Sequence, residues 1–374
     1  MKVKLLCTML LLGWFMTSCS NNEDESNDER VLDENDVPGG DESPDDQKNE
    51  YVWDGSYPTD IVMAKKWLGN PSIFDTDGSK CVFVINSVKQ LTALHILVCN
   101  KAKIDNTHDY MFPYYVNATY KLSTDLDLNG KEWTPIGWNS AVGDEWTSFF
   151  SGRFDGQGHR ITGLNISMDM GDCSLSKAYL GFLSSWSNVN NLRVEGDISI
   201  SNYKGLYLNV GGVVGMSSNC SFCSFEGHIQ LKNCMYDKAV PEKSQQRNVG
   251  GILGENRGGD HIRACFADVT IQGENIDKNN RWGGILGEDH YSIVDKLEPH
   301  VYGCTWYYDE INQKGYKQCY SGWNQTAFFQ KYENASFCNV SELDERVGIM
   351  NNHAKGEDEY RWSMDGTLLK LVKL

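Results

Sequence analysis

Three stretches of this chain alternate strictly between apolar and polar residues: 192–200, 223–232 and 265–272. Because successive side chains of a strand point to opposite faces of a sheet, each stretch predicts a half-buried β-strand. The three stretches superpose residue for residue. In that register Leu192, Cys223 and Cys265 are equivalent inward positions, and we expect Cys304 to end the same ladder.

A short glycine phrase recurs near these strands, at 211–215, 250–254 and 283–287, each reading Gly-Gly-aliphatic-aliphatic-Gly. Each unit is therefore interpreted as a glycine-rich strand, a variable turn and an alternating strand. Such units bury their apolar face only by stacking, and glycine suits positions that need a positive φ or close approach to a neighbour. The pattern predicts a parallel β-helix with buried, reduced cysteines; a disulfide between Cys223 and Cys265 is the alternative.

Both ends of a β-helix need covering, because unpaired strand edges would otherwise be exposed. Residues 87–100 carry apolar side chains at helical spacing and predict an N-terminal cap helix. Residues 341–344 have the form of a capping box, which predicts a helix near 342–352, and a final strand at 367–372 should close that end. The predicted regions are an N-terminal cap (51–119), a β-helix (120–310) and a small mixed C-terminal cap (311–374).

The first residues have the pattern of an export signal: Lys2 and Lys4 precede an apolar run that is too short to span a bilayer. The run ends at Thr17-Ser18-Cys19, which resembles a bacterial lipobox. We therefore predict a lipoprotein signal peptide at 1–18 and lipidation of Cys19. The alternative is an ordinary cleaved signal followed by an incidental cysteine.

The 374-residue chain has a formal net charge of −17, and much of it lies between residues 20 and 50, where 13 residues are acidic. This composition predicts a disordered tether at 19–50. An acidic pI without a basic run argues against nucleic acid as a partner. Acidic residues directly after a lipidated cysteine resemble the surface-export signal of Bacteroidetes lipoproteins, so we expect a surface-exposed outer-membrane protein with no other membrane contact.

Two further segments make a resemblance specific. Residues 126–137 read Leu-Asp-Leu-Asn-Gly-Lys-Glu-Trp-Thr-Pro-Ile-Gly, and 150–164 include Phe-Asp-Gly-Gln-Gly-His. Together with the glycine phrases, they resemble the GLUG-motif family of bacterial surface proteins, many of which are adhesin-like. The resemblance implies a right-handed parallel β-helix, often on a lipoprotein, and carries no catalytic residues over to this chain.

No segment predicts a metal or another cofactor. The sequence from Asp125 to Gly130 matches the opening of a calcium loop, but its twelfth position is Ile136 instead of Glu. Cys220 and Cys223 have the spacing of zinc ligands without a second pair. The Gly156-Gln-Gly158 segment precedes no helix, which excludes a phosphate loop.

The alternative function is a polysaccharide lyase or glycoside hydrolase, since such enzymes need carboxylates on one outward face. The available pool is Glu255, Asp260, Asp268, Glu288 and Asp289, with Arg257, Arg263 and His290. Glu255 and Glu288 each follow a glycine phrase. We interpret them as repeated turn residues that face water, and we therefore predict no enzymatic activity.

Aromatic residues are the remaining candidates for a ligand site, because exposed rings stack on sugars or anchor a protein contact. The candidates are Trp138, Trp146, Trp282, Trp306, Tyr308 and Trp323. The alternative is that they pack caps and loop bases. The sequence thus predicts a monomeric, non-catalytic adhesion module that binds extracellular glycans or host or matrix proteins. A scaffold that only displays variable loops is the second alternative.

Overall fold

The computed structural model describes residues 52–374 apart from 75–80, 103, 105–113, 139–149, 186–187, 218, 236–245, 257–260, 277–279, 290–300, 310–313, 316–331, 334–335, 339, 354–357 and 367. The predicted signal peptide (1–18), Cys19 and the tether (19–50) lie outside the described residues. Tyr51–Leu374 forms one compact unit. None of its described helices is long and apolar enough to cross a membrane.

Helices are few in the described chain, and strands are many. The helices are α1 (Ile61–Leu68), α2 (Val88–Cys99) and α3 (Leu343–Asn352). The strands are β1 (Ile73–Phe74), β2 (Cys81–Ile85), β3 (Thr119–Leu122), β4 (Leu126–Asp127), β5 (Arg153–Asp155), β6 (Arg160–Asp169), β7 (Lys177–Leu180), β8 (Leu183–Ser185), β9 (Asn188–Asn190), β10 (Arg193–Ser201), β11 (Tyr207–Gly211), β12 (Val214–Ser217), β13 (Asn219–Ser221), β14 (Ser224–Lys232), β15 (Gln246–Gly250), β16 (Leu253–Asn256), β17 (Ile262–Arg263), β18 (Phe266–Glu274), β19 (Asn280–Gly283), β20 (Leu286–Asp289), β21 (Val301–Tyr302), β22 (Thr305–Asp309), β23 (Lys314–Gly315), β24 (Tyr332–Glu333), β25 (Ser336–Cys338), β26 (Tyr360–Asp365) and β27 (Leu368–Lys373).

Most of these strands pair in parallel. The nine-stranded sheet has the order β1-β2-β3-β5-β9-β13-β17-β21-β24, and the eight-stranded sheet β23-β22-β18-β14-β10-β6-β4 includes β25 beside β22. The two four-stranded sheets are β19-β15-β11-β7 and β20-β16-β12-β8, whereas β26 and β27 form a separate antiparallel hairpin. The predicted all-β class is therefore confirmed at the level of a β-rich fold with parallel sheets.

From β7 onward the chain passes through the four parallel sheets in a fixed order. The strands β7 to β10 make one round, and β11 to β14, β15 to β18 and β19 to β22 make the next three. Equivalent strands of successive rounds are parallel neighbours. Each round contains four strands, whereas the sequence predicted two. One extra strand arises because the glycine phrase divides between two strands. The other is a short strand that lies before Leu192 in the first round and before the equivalent cysteine in each later round.

The glycine phrase is a corner between two sheets, and the prediction of a single strand there was wrong. Gly211 ends β11, and Val214 begins β12 in another sheet. A Cβ added to Gly211 would lie 2.1 Å from the carbonyl oxygen of Val214 and 2.7 Å from the backbone nitrogen of Gly254. None of the glycines in the three phrases has a positive φ. Close backbone approach, which only glycine permits, is therefore the reason for the repeat.

The predicted register of the alternating strands is confirmed. Residue Val194 pairs with Phe225, and Phe225 pairs with Ala267. Two residues earlier on the same face, Leu192, Cys223, Cys265 and Cys304 form one buried inward ladder, each 0% exposed. Every described cysteine is a free thiol. The Cys223 thiol donates to the carbonyl oxygen of Val189 at 3.5 Å, and burial raises its pKa, so it behaves as a small apolar side chain.

At the N-terminal end, two helices pack against the first strands. Helix α2 begins after Ser87, whose side chain accepts a hydrogen bond from the backbone N–H of Gln90. The sequence did not predict α1, whose N-cap Asp60 accepts a hydrogen bond from the backbone N–H of Met63 and whose C-cap is Gly69. Trp53 and Trp133 lie edge to face beside these helices, with ring centroids 5.8 Å apart.

His95 on α2 is buried, and burial lowers its pKa to about 4. The unfolded chain takes up this proton near the ordinary histidine pKa of 6.5, whereas the folded chain resists it until the pH falls to about 4. The stabilisation is therefore complete above pH 6.5 and is lost as the pH falls through this window. We expect a loss of about 3 kcal/mol in unfolding free energy from this residue.

The measurement is urea unfolding at pH 7.5, 5.5 and 4.5. His95→Gln should flatten the acid dependence, whereas His228→Gln should not, because the side chain of His228 is 67% exposed. Parallel pH profiles for the wild type and His95→Gln would contradict this assignment.

The C-terminal segments differ from their prediction in two ways. Helix α3 begins at Leu343 after a short 3-10 turn (Val340–Glu342), and its N-cap is Glu342 instead of Ser341, the first residue of the predicted capping box. The last strand is half of the β26–β27 hairpin, which does not add to a parallel sheet. The hairpin packs beside the rounds instead: Trp362 donates to the carbonyl oxygen of Ala264 at 2.7 Å.

Candidate functional site

The hairpin overhangs the outer face of the nine-stranded sheet and leaves a cleft of about 310 Å³ between them. Its lining is predominantly polar. The lining residues are Lys121, Arg153, Asp155, Gln157, Asn190, Asn191, Ser221, Phe222, Asp358, Glu359, Tyr360 and Lys373. The volume is at the lower end of the range found for small-molecule sites, which is about 300 to 1,000 Å³.

Strand register places the polar side chains of the cleft floor in one row. Lys121 pairs with Asp155, and Asp155 pairs with Asn190. On the next strand, Ser221 pairs with Asn190. Residues that pair across parallel strands point to the same face and lie about 4.8 Å apart. The floor is therefore a ladder of hydrogen-bonding groups that runs across four strands.

Asp155 is the most constrained member of this row and is only 9% exposed. Its carboxylate accepts hydrogen bonds from the backbone and side-chain N–H groups of Gln157 and from the amide of Asn191. Gln157 and Asn191 both have positive φ values, 52° and 54°. Asp155 thus holds two amide side chains at left-handed corners of the chain, beside the cleft.

Arg153 lies two residues before Asp155 on the same strand face and is exposed. The amide oxygen of Asn190, in the orientation that satisfies both of its ends, accepts from Nε and Nη2 of Arg153 at 3.2 and 3.3 Å. Among the described residues, Arg153 forms no ion pair. A neutral amide therefore orients its guanidinium without neutralising it.

The hairpin side of the cleft carries charges that are already paired. Glu359 and Lys373 are 2.9 Å apart, and their hydrogen bond lowers the pKa of Glu359 and raises that of Lys373. Asp358 lies 3.0 Å from Arg263. Burial raises the pKa of the Tyr360 hydroxyl, and the nearby Asp155 raises it further. This wall therefore offers a neutral phenol between two ion pairs.

The cleft therefore presents a guanidinium, side-chain amides, a phenol and carboxylates within one small space. Such groups can donate to and accept from hydroxyls or carboxylates of a ligand. The carboxylates of Asp155 and Asp358 already accept hydrogen bonds from neighbouring side chains. The arrangement therefore favours recognition of a polar ligand over proton transfer to it.

The predicted aromatic site does not match the structure where it can be compared. Trp138, Trp282 and Trp306 are 8%, 7% and 3% exposed, so the expectation of exposed rings was wrong for these three. Two of them cover glycines: a Cβ on Gly273 would lie 2.3 Å from the Trp282 ring, and one on Gly284 would lie 2.2 Å from the Trp306 ring. Trp146 and Trp323 lie outside the described residues, as does the side chain of Tyr308.

Among the described members of the carboxylate pool, the structure brings together Glu255 and Glu288, which pair across β16 and β20, and the interpretation of these two as water-facing turn residues was wrong. Both lie on strands, β16 and β20, and are 2% and 4% exposed. Asp268 is on the eight-stranded sheet and Arg263 on the nine-stranded one. Asp260, Arg257 and His290 lie outside the described residues, as does the side chain of Asp289.

Instead, the two glutamates belong to a buried polar cluster between the two four-stranded sheets. The Asn209 amide donates to Glu255 at 2.5 Å, and the Asn248 amide donates to Glu288 at 2.9 Å and to Asn209 at 2.6 Å. Arg281 forms an ion pair with Glu288. These side chains therefore link the two four-stranded sheets through hydrogen bonds and an ion pair beside the glycine corner.

Metal-ligating groups do not converge in the described part of the chain: no three His, Cys, Asp or Glu side chains there could hold an ion. The calcium-like segment forms β4 and a turn. The Asp125 carboxylate accepts from the backbone N–H of Arg160, whereas Asp127 accepts from that of Asn129. The Cys223 and Cys265 thiols donate to backbone carbonyl oxygens, Cys223 to that of Val189 and Cys265 to that of Cys220.

Sequence reasoning missed the cleft because its residues come from two distant parts of the chain. The floor residues alternate with apolar residues over short segments: Arg153 and Asp155 flank Phe154, and Asn188 and Asn190 flank Val189. That alternation was a usable signal for an outward polar face. Nothing local indicated that the final hairpin would return to cover it.

Comparisons with known proteins do not place the chain in a family. No family model matches it, and no curated protein matches it. One solved structure is similar, that of a putative immunoglobulin A1 protease from Bacteroides ovatus, at 14% sequence identity and a TM-score of 0.37. The match covers 84% of this chain and 97% of that one. Similarity at this level carries no conclusion about activity.

Proposed function

We propose that the four parallel sheets are the walls of a right-handed parallel β-helix of the GLUG-motif type. Three observations support this. Each round contributes one strand to each sheet, successive rounds pair in parallel, and the inward ladder from Leu192 to Cys304 stays in register. The handedness comes from the sequence resemblance alone.

We further propose that this protein is a lipid-anchored, surface-exposed, non-catalytic binding protein that recognises extracellular glycans or host proteins. The cleft under the C-terminal hairpin carries the proposal, because its floor presents oriented and partly unneutralised polar groups to solvent. The engaged carboxylates of Asp155 and Asp358 support binding rather than hydrolysis.

The proposed location on the cell surface depends on the sequence of the predicted signal peptide and tether. Labelled fatty acid should be incorporated into the wild type and not into Cys19→Ala on intact cells. Added protease should remove the protein from those cells. Failure of labelling, or full protection from protease, would contradict the proposed lipid anchor or surface location without affecting the binding role.

The binding role is tested on a glycan and matrix-protein array with the Tyr51–Leu374 unit, assayed in parallel for new reducing or unsaturated sugar ends. We expect binding without turnover. Asp155→Ala should weaken that binding about tenfold, because Gln157 and Asn191 lose the acceptor that orients them.

Asp197→Ala is the matched control, since it removes one carboxylate from the eight-stranded sheet, where its side chain is 68% exposed. This control should bind as the wild type does. Release of sugar ends would favour the enzymatic alternative, and equal binding by both variants would place the site elsewhere.

A further inference from the structure

The cleft contains two cations, Arg153 and Lys121, that form no ion pair with a described side chain. Glu359 is paired with Lys373 and Asp358 with Arg263, so those pairs contribute little net charge. Arg153 has only the neutral amide of Asn190. Of the five N–H donors of a guanidinium, that amide takes two contacts, which leaves three donors directed elsewhere.

An exposed guanidinium fixed by a neutral acceptor is suited to a planar anion. Carboxylates bind guanidinium groups through two parallel hydrogen bonds, which are about twice as strong as neutral ones. The chain as a whole carries −17. Because charges beyond about 10 Å are largely screened at 0.1 M salt, the groups within the cleft decide what binds here: Arg153 and Lys121 are positive, and Asp155 is a carboxylate that neutral amides already hold.

The other groups in the cleft select for hydroxyls. Asp155 lies two residues from Arg153 along the same strand face, a spacing of about 6.6 Å. Around it are the amides of Gln157 and Asn190 and the hydroxyl of Tyr360. Such groups bind vicinal hydroxyls, and the spacing between Arg153 and Asp155 is of the size of one sugar ring.

Resting on the proposed glycan-binding role, we infer that the ligand is an acidic glycan, a sugar chain whose ring carboxylate binds Arg153 while its hydroxyls bind the Asp155 end of the cleft. An acidic peptide offers carboxylates without the ring hydroxyls that the remaining groups require. The ladder of side chains along the sheet gives the neighbouring sugars of such a chain further hydrogen-bonding groups.

The test measures binding of the full chain, purified in detergent, to oligogalacturonate, a hyaluronan oligosaccharide and sialyllactose. Each probe is paired with its carboxyl-esterified form, and a glutamate peptide is included. At least one acidic glycan should bind more tightly than its ester by about tenfold or more, since the ester lacks the anion but keeps the hydroxyls. The affinity should fall as NaCl is raised.

Arg153→Gln should lower the affinity for that glycan by about tenfold, and Lys232→Gln, which removes one positive charge from the eight-stranded sheet, should leave it unchanged. Equal thermal midpoints establish that both variants are folded. Equal binding of acid and ester, equal affinity of Arg153→Gln and wild type, or tighter binding of the glutamate peptide would each overturn the inference. Binding of neutral glycans alone would overturn the inference and leave the binding role standing. Absence of binding to every array component would overturn both.

Discussion

Replacing Gly250 by alanine should abolish stable folding. An added Cβ would lie 2.2 Å from the carbonyl oxygen of Leu253 and 2.7 Å from the backbone nitrogen of Gly287. Both neighbours are backbone atoms of strands that are themselves paired, so neither can move without breaking a sheet. We expect a loss of more than about 4 kcal/mol in unfolding free energy, or no soluble folded protein.

Gly348 on α3 provides the matched control, because an added Cβ there meets nothing within 4 Å. Gly348→Ala should be neutral or stabilising by up to about 1 kcal/mol, as alanine is the better helix former. The measurement is urea unfolding followed by circular dichroism. If Gly250→Ala unfolds within 1 kcal/mol of the wild type, the corner is not closely packed and its glycines need another explanation.

The repeat and its register were predictable from the sequence, because side-chain alternation is a local property that survives without knowledge of the fold. Leu192, Cys223 and Cys265 could be aligned from their flanking residues alone. The role of the glycine phrase was only half accessible. Glycine is required either by a positive φ or by close approach of another backbone, and the sequence does not show which reason applies. The backbone that approaches Gly211 belongs in part to the next round, near Gly254.

The buried polar cluster shows a different limit. Glu255 follows a glycine phrase like a turn residue, and its partner Asn209 lies 46 residues earlier. A signal was nevertheless present: polar residues precede the phrase by two positions at 209, 248 and 281, and the glutamates follow it at 255 and 288. Repeated polar residues on both sides of a close corner indicate pairing across it. Tertiary packing of the hairpin on the nine-stranded sheet left no comparable signal.

Glu288→Gln should destabilise the protein by about 3 kcal/mol, because it removes one charge of the buried ion pair between Glu288 and Arg281. Glutamine has nearly the same shape and can still accept from Asn248, so the change isolates the charge. Asp365→Asn is the matched control: Asp365 pairs with Lys370 at 2.9 Å, but its side chain is 71% exposed. That variant should lose less than about 1 kcal/mol.

The double variant Glu288→Gln with Arg281→Met distinguishes two causes of destabilisation: loss of the buried ion pair, and a general intolerance of this position to substitution. If the charge of Arg281 is what makes the single change costly, removing that charge should recover part of the loss, since replacing both partners of a buried pair costs less than removing one. Urea unfolding of the three variants at pH 7 measures this. A loss from Glu288→Gln no larger than that from Asp365→Asn, or a double variant less stable than Glu288→Gln alone, would show that the two sheets do not depend on this ion pair.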